Sequence, residues 1–308
     1  MSSSNPTGSL PLAEGKTKVI WLLDDEHVRI VSKDDLTAGD GKKHDVIEGK
    51  AKYANQTTCN VFRFLQACGL PVAFVKQTGD TEFMAERCEM IPYEVVCRGE
   101  AHGSILQRDL SLAKGHVFSE HKLEFFLKTS GKKWKEYDLP VDDPLIIFEK
   151  NRALLYRPDQ PVAEQKPLVT LLDFPLQGSK DMGLVGQIAL HTFSVLKKAW
   201  QNLSRTLADF KVEFGYNTKG ELRLADVIDN DSWRVLEDGK YIDKQIYREG
   251  AGLDEVTEKY KLVAELTGFA PAIVISRALP KVVTPFFLAL TLHLSNKMVK
   301  LMKRMAER

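Results

Sequence analysis

The sequence predicts an α+β fold, because its strand patterns come early and in hairpins and do not alternate regularly with helices. The length of 308 residues, with 44% hydrophobic composition, is enough to bury one large core or two modest ones. Several longer stretches have the spacing of amphipathic helices. We therefore expect a globular chain of hairpins and separate helices, without internal repeats.

The overall charge excludes two classes of partner. The chain has 43 Lys and Arg residues against 42 Asp and Glu residues, a net charge of +1, so no charge excess favours nucleic acid or a membrane surface. Any binding site for an anion must then be formed by a local group of basic side chains and not by the overall charge. The most apolar run, residues 282–294, is shorter than the ~20 residues of a membrane-spanning helix. A buried or interfacial helix is predicted there.

The cysteines and the N-terminus predict a cytoplasmic protein. Cys59, Cys68, Cys88 and Cys97 form no C-x-x-C pair and accompany no histidine cluster with the spacing of metal ligands. We interpret them as buried thiols in a reducing compartment. Residues 1–11 are rich in Ser, Pro and Gly and lack the basic and apolar regions of a signal peptide, so a disordered tail is expected.

The first part of the chain predicts a hairpin, a helix and two further strands. Residues 18–31 are mostly β-branched or large and apolar, interrupted by an acidic turn, which is typical of a hairpin. Residues 48–67 have helical spacing and are followed by a glycine stop signal. Residues 72–75 and 94–97 have the composition of strands.

The second part of the chain is less regular. Residues 130–181 carry many prolines and glycines around short apolar runs, which predicts irregular connections around one or two strands and a lobe boundary or insertion. Residues 184–210 have the spacing of one long core helix. The remaining predicted elements are strands at 210–214 and 221–228, joined by a hairpin turn at 217–220, and helices at 257–267 and 288–307.

A lysine pair near the N-terminus is the first candidate site. Gly15, Lys16 and Thr17 resemble the end of a Walker A motif, but Leu10 stands where that motif requires glycine, so a P-loop is excluded. Lys16 and Lys18 at the start of a strand could hold nucleotide phosphates as point charges. A solvated charged strand is the equally weighted alternative.

The second candidate site is a strand with charges on one face. The period of two along a strand places Asp209, Lys211 and Glu213 together, and the partner strand ends near Asp226. Clustered carboxylates repel unless a cation lies between them, and oxygen ligands suit Mg²⁺ shared with phosphates. The sequence favours a magnesium nucleotide site over a solvated acidic loop, and it has no protein kinase signature.

The third candidate site is a loop with the composition of a phosphate nest. A strand ending at Arg98 leads into Gly99, Gly103 and Ser104. Backbone N–H groups and a guanidinium suit an anion. An ordinary turn uses the same residues, and these residues alone favour the turn.

Eight collinear segments resemble the SAICAR synthetase family over about residues 12–265. The segments are EGKTK at 14–18, SKDDLTAGDG at 32–41, EGKA at 48–51, CEMIPYEVVCRGEAHGS at 88–104, DDP at 142–144, DFKVEFG at 209–215, LADVIDNDSWR at 224–234 and DKQIYR at 243–248. The segment at 224–234 is particularly similar to the animal branch. Animal members continue into an aminoimidazole ribonucleotide carboxylase domain. Residues 268–308 of this chain do not resemble the start of that domain.

The resemblance implies a reaction and a two-lobed fold. Members of the family join carboxyaminoimidazole ribonucleotide (CAIR) to L-aspartate, using ATP and Mg²⁺, in purine biosynthesis. A β-rich nucleotide lobe would occupy residues 12–92, and a larger α+β lobe for substrate and catalysis would occupy 93–267. Residues 268–308 would be a helical extension, an oligomerisation segment or an atypical end of the reading frame. The small-molecule substrates would be the partners, and a homo-oligomer is allowed.

The resemblance also implies a role for individual residues. ATP would contact Lys16, Thr17, Lys18, Met90, Glu213 and Asp226, of which Glu213 and Asp226 would also serve the metal. The substrate anion would contact Arg98, Ser104, Asp231, Arg234, Lys244 and Arg248. Catalysis would involve Asp40, Asp209 and Lys211. Two alternatives are a kinase-like phosphotransferase and an inactive nucleotide-binding scaffold; the first should carry a catalytic-loop signature, and the second should have lost the charged residues.

Overall fold

The computed structural model describes residues 10–38, 43–129, 131–149, 152–172 and 179–275. The chain divides into one compact unit, Met1–Ala270, and a second, Pro271–Arg308. The predicted helix at 288–307 and most of the predicted tail at 1–11 lie outside the described residues. Within the described ranges, no helix is long and apolar enough to cross a membrane.

Helices are fewer than strands in the described part of the chain. The helices are α1 (Lys50–Ala67), α2 (Ile105–Arg108), α3 (Ser179–Asn202), α4 (Gln245–Arg248) and α5 (Leu253–Ile275), with a 3-10 turn at Val162–Glu164. The strands are β1 (Ala13–Glu14), β2 (Lys18–Leu22), β3 (His27–Ser32), β4 (Asp35–Ala38), β5 (Lys43–Val46), β6 (Phe74–Gln77), β7 (Glu82–Glu86), β8 (Cys88–Glu100), β9 (Val117–Leu127), β10 (Lys133–Trp134), β11 (Tyr137–Asp138), β12 (Leu145–Glu149), β13 (Arg152–Tyr156), β14 (Val169–Leu172), β15 (Thr206–Asn217), β16 (Leu222–Ala225), β17 (Trp233–Glu237) and β18 (Lys240–Tyr241).

The N-terminal part forms a five-stranded antiparallel sheet in the order β1-β2-β3-β7-β6. Helix α1 packs on β3, β6 and β7. Three buried aromatic rings fill this contact, and Phe74 lies 5.8 Å from Phe62 and 5.7 Å from Phe83 between ring centroids. Such aromatic pairs contribute beyond their buried area. The first hairpin and the helix at 48–67 are thus confirmed within two residues at each end.

The central sheet has nine strands, with β8 and β15 in the middle of the order β14-β13-β12-β9-β8-β15-β17-β18 and β16 paired to β15. Helix α3 covers one face by packing on β15, β8 and β9. Its fully buried Phe193 lies 5.3 Å from Phe210 between ring centroids. Because side chains alternate along a strand, Asp209 and Lys211 point to the opposite face.

Strand β16 connects the two sheets. Val72, just before β6, forms a parallel bridge with Leu224. The Ala73 N–H donates to the Leu224 carbonyl at 2.8 Å, and the Leu224 N–H donates to the Pro71 carbonyl at 2.7 Å. The two sheets therefore meet at a backbone contact, and both contribute residues to the cavity described below.

Three predictions about elements need correction. The long helix ends at Asn202, because Ser204 adopts a left-handed φ of 59° and the residues after it pair with β8 and β17. The apolar residues of α3 continue into β15 with a spacing that fits both the helical and the strand period. The sequence therefore does not show where the helix ends. The described residues between 131 and 181 contain five short strands, β10 to β14, instead of one or two. The strand predicted at 72–75 lies at Phe74–Gln77.

Candidate active site

Two cavities lie on the charged side of β15. The first cavity has a volume of about 530 Å³ and a floor of apolar residues from the five-stranded sheet, among them Ile20, Val28 and Ile30. The other lining residues include Lys18, Met90, Lys128, Glu213 and Asp226. A cavity with both apolar and charged lining residues suits a ligand with an apolar part and an anionic part.

Lys18 and Asp226 form an ion pair in the first cavity. Burial lowers the pKa of the Lys18 ammonium to about 8, against the attraction of Glu213. Asp226 adopts a left-handed φ of 64°, which is uncommon outside glycine. Strain of this kind gathers at functional sites.

Glu213 is the most strongly engaged carboxylate of the first cavity. Its Oε1 accepts from Lys211 Nζ at 2.8 Å, and its Oε2 accepts from Lys128 Nζ at 2.6 Å. Burial by itself would raise the pKa, but the charges of Lys211, Lys128 and Lys18 outweigh it and lower the pKa to about 2. Glu213 is therefore ionised at neutral pH.

Lys211 connects this carboxylate to the second cavity. Its Nζ also donates to Glu94 Oε1 at 3.0 Å. Burial by itself would lower the pKa of Lys211, but Glu213 and Glu94 raise it above the usual range. Lys211 lines the second cavity, whereas Glu213 lines the first. The two cavities thus share one ion pair.

The second cavity has a volume of about 370 Å³ and a polar lining. It brings together residues that are far apart in the sequence: β8 contributes Arg98, the β8–α2 loop Ser104, and α4 Arg248. Its charged and hydroxyl lining residues include Glu94, Arg98, Ser104, Asp142, Asp143, Asp209, Lys211, Asp231, Arg234 and Arg248. Arginine guanidinium groups together with a serine hydroxyl group suit a bound phosphate or carboxylate.

Asp209 holds two of these arginines. Cross-strand pairing places it opposite Arg98 on β8 and opposite Arg234 on β17. Its Oδ2 accepts from Arg98 Nη1 and from Arg234 Nη1, both at 2.8 Å. Only 3% of Asp209 is exposed, so the carboxylate fixes both guanidinium groups at the cavity wall.

Gly103 allows the close approach of Arg234. Its φ is +64°, and a Cβ atom built there would lie 2.4 Å from Arg234 Nη2. Any side chain at this position would displace the guanidinium group or the loop. The glycine of the predicted nest is therefore required by its neighbour as well as by its backbone conformation.

A buried network supports the far end of the second cavity. Asp231 accepts from Lys244 Nζ at 2.9 Å and from the Tyr260 hydroxyl. Burial by itself would raise the pKa of Asp231, but Lys50 and Lys244 lower it instead. Burial and the charge of Asp231 raise the pKa of neighbouring Asp229. The pair thus titrates unequally, and Asp231 loses its proton at a lower pH than Asp229.

A family model described as SAICAR synthetase matches residues 11–266, which is most of the chain. The chain belongs to the SAICAR synthetase family. A Caenorhabditis elegans relative named probable multifunctional protein ADE2 is 38% identical over 262 residues, covering 83% of this chain and 56% of that relative. A Chloroflexus aurantiacus phosphoribosylaminoimidazole-succinocarboxamide synthase is 39% identical over 267 residues, covering 83% of this chain and 95% of that relative.

Solved structures show the same fold. One, described as SAICAR synthetase (Type-2) in complex with ADP, has a TM-score of 0.68 and 26% identity, covering 83% of this chain and 96% of that one. The predicted α+β class is confirmed. The chain spans about half the length of the nematode relative and nearly all of the bacterial one.

The predicted SAICAR synthetase site residues fall into three groups. Lys16 is exposed and Thr17 half-buried, and neither lines the first cavity. Lys244 does not line the second cavity, but it contacts Asp231 and Arg248, which do. Asp40 lies outside the described residues. The other predicted residues each line one of the two cavities: Lys18, Met90, Arg98, Ser104, Asp209, Lys211, Glu213, Asp226, Asp231, Arg234 and Arg248.

Sequence reasoning missed several charged residues of the SAICAR synthetase site. Glu94 and Lys50 lie inside segments that resemble the family, and Lys50 could have been noticed as a charge on a buried helix position. Lys128, Glu124 and Arg108 belong to no segment and reach the site only by sheet pairing and loop closure. His102 is buried, with its Nδ1 2.6 Å from the Tyr241 hydroxyl, a contact that supports a structural role.

The depressed pKa of Glu213 predicts a pH-dependent stability. The ionised form gains from the surrounding lysines above the unfolded-state pKa of 4.5, and this gain is lost as pH falls toward about 2. A shift of this size corresponds to about 3 kcal/mol. We expect the difference in unfolding free energy between the unchanged protein and Glu213→Gln to shrink by roughly 2 kcal/mol from about pH 5 to about pH 3. Urea unfolding at both pH values measures it, and an equal difference at both would contradict this account.

Proposed function

We propose that this chain is an ATP-dependent ligase that joins CAIR to L-aspartate in purine biosynthesis, giving the succinocarboxamide product SAICAR, ADP and phosphate. The observation that carries the proposal is the Lys211–Glu213 ion pair, which joins a cavity with apolar and charged lining residues to a cavity lined by arginines. The membership of the SAICAR synthetase family supplies the reaction.

ATP would occupy the first cavity. Met90 is partly exposed at its wall and offers an apolar surface to a base, while Lys18 and Lys128 lie at the charged end for the phosphates. Lys16, on the exposed turn next to β2, would reach the phosphates from outside the cavity. The solved relative with ADP supports a nucleotide here.

CAIR would occupy the second cavity. Arg98, Ser104 and Arg234 would hold its phosphate and ribose, and Arg248 would add a further cation. Lys211 would contact the carboxylate of the imidazole ring. The raised pKa of Lys211 keeps it protonated, so it would neutralise charge and not accept a proton. Stabilisation of this kind needs fixed groups, and carboxylates fix Lys211, Arg98 and Arg234.

The reaction would proceed in two steps, phosphorylation of the CAIR carboxylate and then formation of the amide bond. A carboxylate oxygen of CAIR attacks the γ-phosphorus of ATP, so that a new P–O bond forms, the bond to ADP breaks, and an acyl phosphate results. The neutral amine of aspartate then attacks the acyl carbon, a C–N bond forms, the C–O bond to the phosphate breaks, and the proton lost by the amine leaves with the phosphate as hydrogen phosphate. Holding both substrates against one ion pair would reduce the entropic part of each barrier.

Magnesium fits the first cavity. Glu213 and Asp226 both line it, and Mg²⁺ is commonly held by one or two carboxylates and substrate phosphates. Within the described residues no group of three or more His, Cys, Asp or Glu side chains could hold a metal by itself, so phosphates would supply the remaining ligands. When bound, the metal would offset phosphate charge and polarise the transferred phosphoryl group.

The positions of the two cavities support an assignment of the chain to two lobes. We propose residues 12–92 as the nucleotide lobe, since β1 to β7 lie there, and 93–267 as the lobe for substrate and catalysis, with 268–308 as an extension. Strand β8 crosses from one to the other. A cytoplasmic location is part of the proposal, in keeping with four free cysteine thiols.

The reaction is tested directly by measuring ADP release with ATP, CAIR and aspartate and then omitting each substrate in turn. We expect ADP and SAICAR in equal amounts, and only when all three are present. Sustained ADP release without aspartate would instead indicate a kinase-like phosphotransferase. Nucleotide binding without turnover would indicate an inactive scaffold.

Removal of Lys211 should abolish turnover. We expect Lys211→Ala to lower kcat by at least about 100-fold, a loss typical of one electrostatic group at a reacting centre. The fold should persist because Lys128 still neutralises Glu213. Steady-state kinetics and circular dichroism measure both effects, and Lys198→Ala on the exposed side of α3 is the control. Near-normal activity of Lys211→Ala would refute its role.

Two glycine variants separate backbone strain from displacement of Arg234. Gly103 and Gly115 both have positive φ, +64° and +82°, but a Cβ atom meets Arg234 only at Gly103. We expect Gly103→Ala to raise the KM for CAIR about 10-fold or more, as loss of a charge-assisted hydrogen bond would. Gly115→Ala carries similar strain and should leave this KM within about 2-fold. Equal effects of the two substitutions on KM would contradict the displacement of Arg234.

A further inference from the structure

We propose that Glu124 is a positioning residue of the second cavity, which holds Arg98 and Arg108 at the same time and thereby sets the geometry of phosphate binding. This inference rests on the proposed function, because it takes the second cavity to hold the phosphate of a ribonucleotide. Glu124 itself is not among the residues that line the cavity.

The two oxygens of Glu124 have separate partners. Glu124 lies on β9 opposite Val96, so it is diagonal to Arg98 on the same face of the sheet. Its Oε2 accepts from Arg98 Nε at 2.6 Å, and its Oε1 accepts from Arg108 Nη2 at 2.5 Å. A single carboxylate thus fixes one guanidinium group on β8 and another on α2.

Arg108 acts on the cavity through Ser104. It lies one helical turn after Ser104, is 8% exposed, and does not line the cavity. Its Nη1 donates to Ser104 Oγ at 2.9 Å and to the Pro158 carbonyl at 2.9 Å. Because the Ser104 oxygen accepts from Arg108, its own hydrogen remains for an acceptor such as a phosphate oxygen in the cavity.

Charge alternates along this side of the site. Arg108, Glu124, Arg98, Asp209 and Arg234 follow one another as contacting ion pairs. Burial by itself would raise the pKa of Glu124, but the two arginines lower it, so the carboxylate stays ionised. The row keeps one excess positive charge, and Arg248 adds another, which matches a doubly charged phosphate.

Loss of the Glu124 charge should therefore weaken phosphate recognition in particular. In Glu124→Gln the amide offers one acceptor and one donor group, so it can serve only one arginine. Arg98 would lose its second anchor or Ser104 would lose its orientation. Supporting residues of this kind typically change affinity by about 10- to 100-fold.

The test compares a phosphorylated ligand with its dephosphorylated form. Isothermal titration measures the Kd of 5-aminoimidazole-4-carboxamide ribonucleotide and of the corresponding nucleoside. The preference for the nucleotide is the Kd of the nucleoside divided by the Kd of the nucleotide. We expect Glu124→Gln to reduce this ratio by about 10- to 100-fold, while the Kd for the nucleoside and the KM for ATP stay within about 2-fold. A general loss of folding would weaken all three alike.

Glu120→Gln is the matched control, because it makes the same change on the same strand at an exposed position. It should keep the preference for the nucleotide. If Glu124→Gln does not fold, Glu124→Asp carries the test, since the shorter side chain keeps the charge but cannot reach both arginines. It should lose about 5-fold or more of the preference.

The outcomes separate this inference from the proposed function. If the unchanged protein prefers the nucleotide and Glu124→Gln keeps that preference, the positioning role is overturned and the proposed function stands. If the unchanged protein binds nucleotide and nucleoside equally, the second cavity does not recognise phosphate. That result would overturn the proposed function, and the role of Glu124 with it.

Discussion

The contact between Lys211 and Glu213 is the interaction on which the rest of the site depends. The two residues are neighbours on one face of β15, where the period of a strand leaves them side by side. Glu213 lines one cavity and Lys211 the other. Only 3% of the Glu213 side chain is exposed, so its negative charge needs cations beside it. The pair is stable because Lys128 and Glu94 complete the charge balance.

The central sheet extends the same principle to the second cavity. Cross-strand pairing places Asp209 between two arginines, and Glu124 continues the row toward α2. Each cation is held by a carboxylate before any ligand arrives, so little reorganisation is needed on binding. Helix α3 covers the opposite face and keeps β8 and β15 together. The charged face can therefore be devoted to ligands while the apolar face supplies the core.

Local patterns in the sequence predicted the parts of the site that depend on local geometry. The period of two placed Asp209, Lys211 and Glu213 on one face, as the contacts of Lys211 show. Strand pairing between distant segments has no such local signal, which is why Glu124 and Lys128 were missed. The predicted element boundaries were wrong where the apolar residues fit both the helical and the strand period, as between α3 and β15. Most of the reaction was recognisable only through the family resemblance.

The most direct test of the shared ion pair is to follow the oxygen atoms of the substrate carboxylate. If both substrates meet at Lys211 and the carboxylate attacks ATP, one carboxylate oxygen must leave with the phosphate. CAIR labelled with a heavy oxygen isotope in its carboxylate should therefore give phosphate that carries one labelled oxygen and SAICAR that retains the other. Phosphate without label would contradict direct transfer between the two cavities.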